Sequence, residues 1–211
     1  NGESSVQSVA LVTSIRENFT YLSFDKNSEA YEKNQIVSEK IYDSISEALY
    51  SYGSVTGITT EGVPTVCGEA FFEKPDAWID SSKRKQLSNK EANGFFKGFE
   101  QNCVATTNET DTLQAITRAA DAVNGSNATD KTIFVVDSGL STSGYVNFIK
   151  NNLFDTDPSL FIEKLTEKHA IPDLSGIKLI WYGLADVCGE QTTLSAEQAF
   201  KLKEIWSAIL S

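Results

Sequence analysis

Runs that are apolar at every position constrain this chain more than any other feature of its sequence. Two of them are Val9-Ala10-Leu11-Val12 and Ile133-Phe134-Val135-Val136, and a third is Leu179-Ile180-Trp181-Tyr182. A strand that is apolar on both faces must be covered on both faces, which is typical of central strands in a parallel sheet. We therefore expect these three strands to lie in one sheet with helices on both sides.

Apolar residues at helical spacing separate these runs. One stripe lies in residues 28–52, and a second lies in residues 109–123, where Asn108 or Thr110 can cap the helix. Further helices are predicted at 142–153, 157–169 and 195–210, and further strands at 54–60 and, as an edge strand, 66–72. Strands that alternate with helices predict a three-layer α/β fold with a mostly parallel, doubly wound sheet.

The length of 211 residues predicts a single domain over residues 1–211. Residues 1–6 are polar at their start and predict a short flexible head. Residues 61–100 show the weakest pattern, and we expect an irregular insertion there. Within it, Phe95, Phe96 and Phe99 have helical spacing, which favours a helix face on the core over a ligand platform.

The charge balance excludes several classes of partner. The chain has 18 Lys and Arg against 29 Asp and Glu, a formal net charge of −11. Such a surface repels phosphate backbones and anionic membranes, so we expect no nucleic-acid partner. No apolar run reaches the roughly 18 residues of a membrane span, so we also expect no direct membrane insertion. The first residue is Asn1, so an upstream export signal could have been removed.

Three cysteines, Cys67, Cys103 and Cys188, are too few and too scattered for a CxxC metal site. If the protein is exported, one pair among them is a candidate disulfide, because two of them can meet at the same end of the sheet. The sequence leaves open which cysteines pair, and three unpaired cysteines acting as small apolar residues is the alternative.

Ligands of doubly wound sheets bind at the carboxyl ends of the strands, where the strand order reverses. The polar residues that directly follow the predicted strands, or precede the helix at 109–123, are therefore the candidate ligand-binding residues. They are Arg16, Asn18, Thr110, Asp137, Ser141 and Asp186.

Two of these segments carry a family resemblance. The segment Asn108–Ile116, which contains Thr110-Asp111-Thr112, resembles the Gly-Gly-Thr-x-Thr segment of von Willebrand factor A domains. The segment Val135–Gly139 is similar to the strand that ends in Thr-Asp-Gly in that family. The resemblance implies a Rossmann-like fold and a Mg²⁺ site in which Thr110 and Asp137 are ligands.

The third part of the family's metal site is missing from this sequence. Family members have an Asp-x-Ser-x-Ser loop after the first strand, whereas this chain has Thr13-Ser14-Ile15-Arg16-Glu17. Arg16 also brings a positive charge that opposes a metal ion. The resemblance therefore implies a degenerate metal-ion-dependent adhesion site with no cofactor. Asp137 is then expected to cap the next element or to pair with Arg16, and Thr110 to cap its helix.

A narrower resemblance covers residues 8–18, 53–66 and above all 171–210. These segments are similar to bacterial cell-envelope proteins in which a von Willebrand-like domain precedes an OmpA-like peptidoglycan-binding domain. The resemblance implies a non-enzymatic binding or scaffold module. Such a module is extracytoplasmic, in the cell envelope or secreted, and its partner is a protein or a cell-wall component.

Two other classes of function stay open. The first is a working cation-dependent adhesion domain that binds Mg²⁺ through Thr110 and Asp137. The second is a doubly wound enzyme that uses Asp137 and Asp186. A Ser-His-Asp hydrolase would have to use His169, the single histidine, and the segment at 139–144 departs from Gly-x-Ser-x-Gly. The common nucleotide-binding fingerprints are absent from the sequence.

Overall fold

The computed structural model describes residues 5–16, 19–20, 23, 25–103, 107–187 and 191–211, with only the backbone at 15, 16, 19 and 20. The strands are β1 (Gln7–Thr13), β2 (Ile15–Arg16), β3 (Phe19–Thr20), β4 (Ser54–Thr59), β5 (Val66–Phe71), β6 (Asp130–Val136) and β7 (Ile177–Tyr182). The helices are α1 (Glu29–Lys33), α2 (Gln35–Tyr50), α3 (Ser81–Asn102), α4 (Thr112–Asn124), α5 (Pro158–Glu167) and α6 (Ala196–Ile209).

Five of these strands form one sheet in the order β5-β4-β1-β6-β7. β1 pairs in parallel with β4 and β6, and β6 pairs in parallel with β7. Only the edge strand β5 runs antiparallel, because it returns from β4 through a short hairpin loop. The structure thus confirms the predicted α/β class and its mostly parallel sheet.

Helices cover both faces of the sheet, as the fully apolar strands require. In β1, Val9 and Leu11 point to the layer that contains α2 and α3, whereas Ala10 and Val12 point to the layer that contains α4 and α6. The alternation arises because successive strand residues face opposite sides. Each face therefore has its own hydrophobic core.

Glycine allows α3 to lie close to the sheet. A Cβ atom at Gly57 in β4 would overlap the ring of Phe99, and one at Gly68 in β5 would crowd Phe95. The aromatic cluster predicted at the end of α3 therefore packs directly against bare backbone, with Phe95, Phe96 and Phe99 all buried.

The expectation of an irregular insertion at residues 61–100 is wrong. This part of the chain forms β5 and most of α3, which is a 22-residue helix that Asp80 caps by accepting a hydrogen bond from the backbone N–H of Lys83. The first turns of α3 bury small or polar residues such as Ser88 and Ala92, so they lack an apolar stripe. At the head of the chain, the Val6 carbonyl accepts hydrogen bonds from Thr129 and Asp130, so residue 6 is attached to β6.

The predicted helix at 142–153 is also wrong. The segment consists of turns followed by one 3-10 turn, Leu153–Asp155. Gly144 has a φ of 69°, which a right-handed helix excludes. The buried apolar residues of this segment pack against the α4 face of the sheet; they are Val146, Phe148 and Leu153. Over the described part of the chain, no helix is long and apolar enough to cross a membrane.

Candidate functional site

The strand order reverses between β1 and β6, because the chain continues from β1 to one side of the sheet and later returns to the other. Ligands of doubly wound sheets bind outside the carboxyl ends of such a strand pair. In this protein those ends carry Thr13 and Asp137, and the N-terminus of α4 lies beside them. The candidate site is therefore located where the fold predicts it.

The Asp137 carboxylate is held by groups of the chain itself. Its Oδ2 accepts hydrogen bonds from Thr112 Oγ1 at 3.0 Å and from the backbone N–H of Gly139 at 2.9 Å. The side chains of Asp137 and Thr112 are both buried. A buried carboxylate requires such donors, since an unsatisfied one costs the full desolvation free energy of the group. Together the three residues join β6 to the start of α4.

Two tryptophans hold the loop that follows β6. The indole Nε1 of Trp181 donates to the carbonyl of Asp137 at 2.7 Å, and that of Trp206 donates to the carbonyl of Gly139 at 2.8 Å. Gly139 has a φ of 75°, and a Cβ there would meet Leu184 and Trp206. The backbone around Asp137 is therefore held from both β7 and α6.

Thr110 does not cap α4, contrary to the prediction. Its side chain is buried and directed toward the Leu140 carbonyl, while its own carbonyl accepts from Ser141 Oγ, Thr142 N and Ser143 N. The hydroxyl that reaches Asp137 belongs to Thr112, two residues further along. Helix α4 is capped by Asp111 and not by Thr110 or Asn108, because Asp111 Oδ1 accepts from the backbone N–H of Gln114.

Ser141 is likewise part of the internal network. Its Oγ accepts from the backbone N–H of Thr112 and donates to the Thr110 carbonyl, and its side chain is fully buried. Thr110, Asp137 and Ser141 thus come together as expected, but their polar atoms face the protein.

Of the remaining candidates, only Asp186 has a described side chain, and it does not join this group. Asp186 is exposed on the loop after β7, and neither Asp137 nor Asp186 lines the clefts described below. Arg16 is described only through its backbone in β2, which pairs with β3. Asn18 lies outside the described residues. His169 is exposed at the end of α5 and lines a cleft that does not contain Ser141.

Asp111, which is not among the residues predicted from the sequence, has its carboxylate in an open groove. A cleft of about 700 Å³ on one side is lined by Glu61, Glu109, Asp111 and Ser143, among others. A second cleft, of about 380 Å³, is lined by Asp111, Leu113, Tyr145, His169 and Ile171, among others. Asp111, Gln114 and Gly144 line both, so the two clefts adjoin at Asp111. We call them together the Asp111 groove.

Burial gives Asp111 unusual electrostatics for a helix cap. Burial raises the pKa of its carboxyl group, and the hydrogen bond from the Gln114 backbone partly offsets that effect. Its Oδ2 lies against Gly144, where a Cβ would overlap it, and accepts no hydrogen bond from the described residues. The sequence alone does not predict the raised pKa or the position of Oδ2, because Asp is also an ordinary N-cap residue.

The residues around Asp137 are a poor match to a divalent metal ion. Mg²⁺ prefers an octahedral set of oxygen ligands with one or two carboxylates. Here one carboxylate oxygen already accepts two hydrogen bonds, and Thr13 Oγ1 donates to the Val136 carbonyl at 3.0 Å. Within the residues that the structure describes, no group of three or more His, Cys, Asp and Glu side chains could hold a metal ion.

A disulfide joins Cys67 in β5 to Cys103 at the end of α3, with a Cα–Cα distance of 5.4 Å. These are two of the three candidate cysteines, and Cys188 lies outside the described residues. The bridge connects the edge of the sheet to the helix that covers it. Asn102, next to Cys103, lines the larger cleft of the Asp111 groove.

Comparison with known proteins gives no match, either to a model of a protein family or to a curated protein sequence. The resemblance to von Willebrand factor A domains therefore stays a prediction that rests on the sequence motifs. The fold itself is Rossmann-like.

Proposed function

We propose that this chain is a von Willebrand A-like binding or scaffold module of a bacterial cell-envelope protein, without catalytic activity and with a degenerate metal site. The observation that carries the proposal is the engagement of Asp137 by Thr112 Oγ1 and Gly139 N–H. These two protein donors already occupy one oxygen of the carboxylate, which leaves it less able to hold a metal ion. Asp137 then joins β6 to α4 and takes no part in ligand binding.

The disulfide supports an extracytoplasmic location. Disulfide bonds persist in oxidising compartments and are rare in the reducing cytosol of most organisms. A bridge between Cys67 and Cys103 is consistent with export to the cell envelope or beyond. The partner of the module is then a protein or a cell-wall component.

Titration with Mg²⁺ or Mn²⁺ tests the degenerate metal site, with the melting temperature Tm as the readout. A site filled at a hundred times its Kd would stabilise the fold by about 2.7 kcal/mol, which for a chain of this size raises Tm by roughly 5 to 10 °C. We expect a change below about 1 °C at 10 mM of either ion.

The variant Asp137→Ala separates the two interpretations. A rise in Tm that this variant abolishes would show a working adhesion site and would overturn the proposal. A rise of the same size in both proteins would come from a cation site elsewhere, and Asp137 would keep its structural role.

A further inference from the structure

The Asp111 groove combines four features at one place on the surface. Asp111, the residue at its centre, is 8% exposed, and its Oδ2 accepts no hydrogen bond from the described residues. The charged residues that are described in its larger cleft, Glu61, Glu109 and Asp111, are all acidic. The ring of Tyr145, 55% exposed, lies in the smaller cleft. Leu113 and Ile171 give that cleft an apolar lining.

We infer that the Asp111 groove binds a lysine side chain of a partner polypeptide, with the ammonium group beside Asp111 Oδ2. The inference gives the chemistry of the partner for the binding module proposed above and rests on that proposal. A nearby positive charge favours the ionised form of the carboxyl group and so opposes the effect of burial on it. The methylene groups of lysine would pack against Leu113 and Ile171, and Tyr145 would offer its ring to the cation.

The hydrogen bonds already present favour an ammonium over a guanidinium group. Arginine binds carboxylates best through two parallel hydrogen bonds, one to each oxygen. Asp111 Oδ1 is already used by the Gln114 backbone, so a single point of contact remains. A compact ammonium group needs no more than that.

The surrounding charge favours a basic partner as well. Glu109 is exposed at the rim of the larger cleft, where its negative charge adds to that of Asp111. The formal net charge of −11 steers basic partners toward the protein. The larger cleft of about 700 Å³ extends beyond what one side chain fills, which favours a lysine carried on a polypeptide over a free amine.

The test is an NMR titration of the ¹⁵N-labelled full chain with Nα-acetyl-lysine methylamide in the presence of EDTA. We expect saturable shifts of the amide signals of Gln114 and Tyr145, with a Kd on the order of millimolar for so small a probe. The norleucine analogue, which lacks the ammonium group, should produce no saturable shift. Equal binding of both probes would show an apolar cleft and overturn the inference, as would a lysine probe that gives no saturable shift.

Two variants of the same helix separate a site from general charge attraction. Asp111→Asn keeps an N-cap oxygen but removes the charge, and we expect at least about a tenfold loss of affinity. Asp121→Asn removes one charge from the exposed face of α4 and should change the affinity less than twofold. Equal losses in both variants would mean that net charge alone attracts the probe, and the inference would be wrong.

A further comparison tests the polypeptide source. The peptide acetyl-Gly-Lys-Gly-amide should bind more tightly than the free diamine cadaverine, and the reverse order would overturn that part of the inference. The outcome is independent of the metal titration. A rise in Tm with Mg²⁺ that Asp137→Ala abolishes would overturn the proposed function alone, whereas loss of lysine binding with no Mg²⁺ response would overturn this inference alone.

Discussion

Asp137 and Asp111 lie close to the carboxyl ends of the parallel strands, and both residues are buried. The two carboxylates nevertheless make different contacts. Asp137 Oδ2 accepts from Thr112 and Gly139, and tryptophans of β7 and α6 hold its surroundings. Asp111 has one donor on one oxygen and lines an open groove. Burial alone therefore does not identify a binding residue. The difference lies in the second oxygen of Asp111, which accepts no hydrogen bond from the described residues and faces a cleft.

The largest expected effect comes from removing the disulfide, which is next to Asn102 in the wall of the Asp111 groove. This change should affect the groove and leave the Asp137 network intact. Cys67 and Cys103 are 36 residues apart, and a loop of that size predicts a loss of about 4 kcal/mol in the free energy of unfolding when the bridge is removed. We expect this loss for Cys67→Ser/Cys103→Ser in denaturant unfolding. NMR signals of Asn102 should shift, while those of Thr112 and Asp137 should not.

Cys188→Ser is the control for that experiment, because it leaves the bridge intact. This variant should lose the same stability on reduction as the unaltered protein. A loss below about 1 kcal/mol in the double variant would show that the bridge contributes little to the fold.

The second effect tests the structural role of Asp137. Asp137→Ala leaves the buried Thr112 hydroxyl and the Gly139 N–H without their acceptor, so we expect a loss of about 2 to 3 kcal/mol in the free energy of unfolding. The matched control is Asp186→Ala, at an exposed position, which should change it by less than about 0.5 kcal/mol. Equal effects of the two substitutions would contradict the role assigned to Asp137.

The smallest expected effect on the free energy of unfolding separates two contributions of Asp111, its N-cap hydrogen bond and its charge. Asp111→Ala removes the N-cap of α4 and should cost about 1 kcal/mol. Asp111→Asn keeps the cap and removes a buried charge, so at pH 7 it should cost nothing or stabilise the fold slightly.

The difference in stability between Asp111→Asn and the unaltered protein should change with pH in a definite direction. Because burial raises the pKa of Asp111 in the folded protein, the folded state binds the proton more readily than the unfolded state. The cost of the charge is therefore present at neutral pH and disappears as the pH falls through the raised pKa. Urea unfolding at several pH values between 7 and 3 measures this, and an advantage of Asp111→Asn that grows toward low pH would contradict it.

The strength of the local pattern decided how much of the fold the sequence could predict. β1 and β6 are predicted because they are apolar on both faces, and α4 because its apolar stripe is regular. Most of α3 was missed, since its first turns pack Ser88 and Ala92 against the core and so resemble a polar segment. The sequence predicts a helix at 142–153, but the segment forms turns, and its buried apolar residues pack against the α4 face of the sheet.

For the site, the sequence places Asp137 directly after its strand but does not single out Thr112, whose hydroxyl donates to it. Asn108, Thr110, Asp111 and Thr112 are all residue types that favour a helix start, so the sequence alone does not fix which of them is the cap. The threonine whose hydroxyl reaches Asp137 is Thr112, which lies two positions after Thr110. The Asp111 groove depends on how the loop containing Gly144 and Tyr145 folds over α4, which no local pattern predicts.

The absence of a side chain at Gly57 affects the C-terminal end of α3. Phe99 rests on this bare stretch of β4, and four residues later the chain reaches Cys103, where the bridge to β5 is made. Even a methyl group at position 57 would lift the C-terminal turns of α3 and displace Asn102, which borders the larger cleft. The width of the larger cleft thus depends on the absence of a side chain at one position of β4.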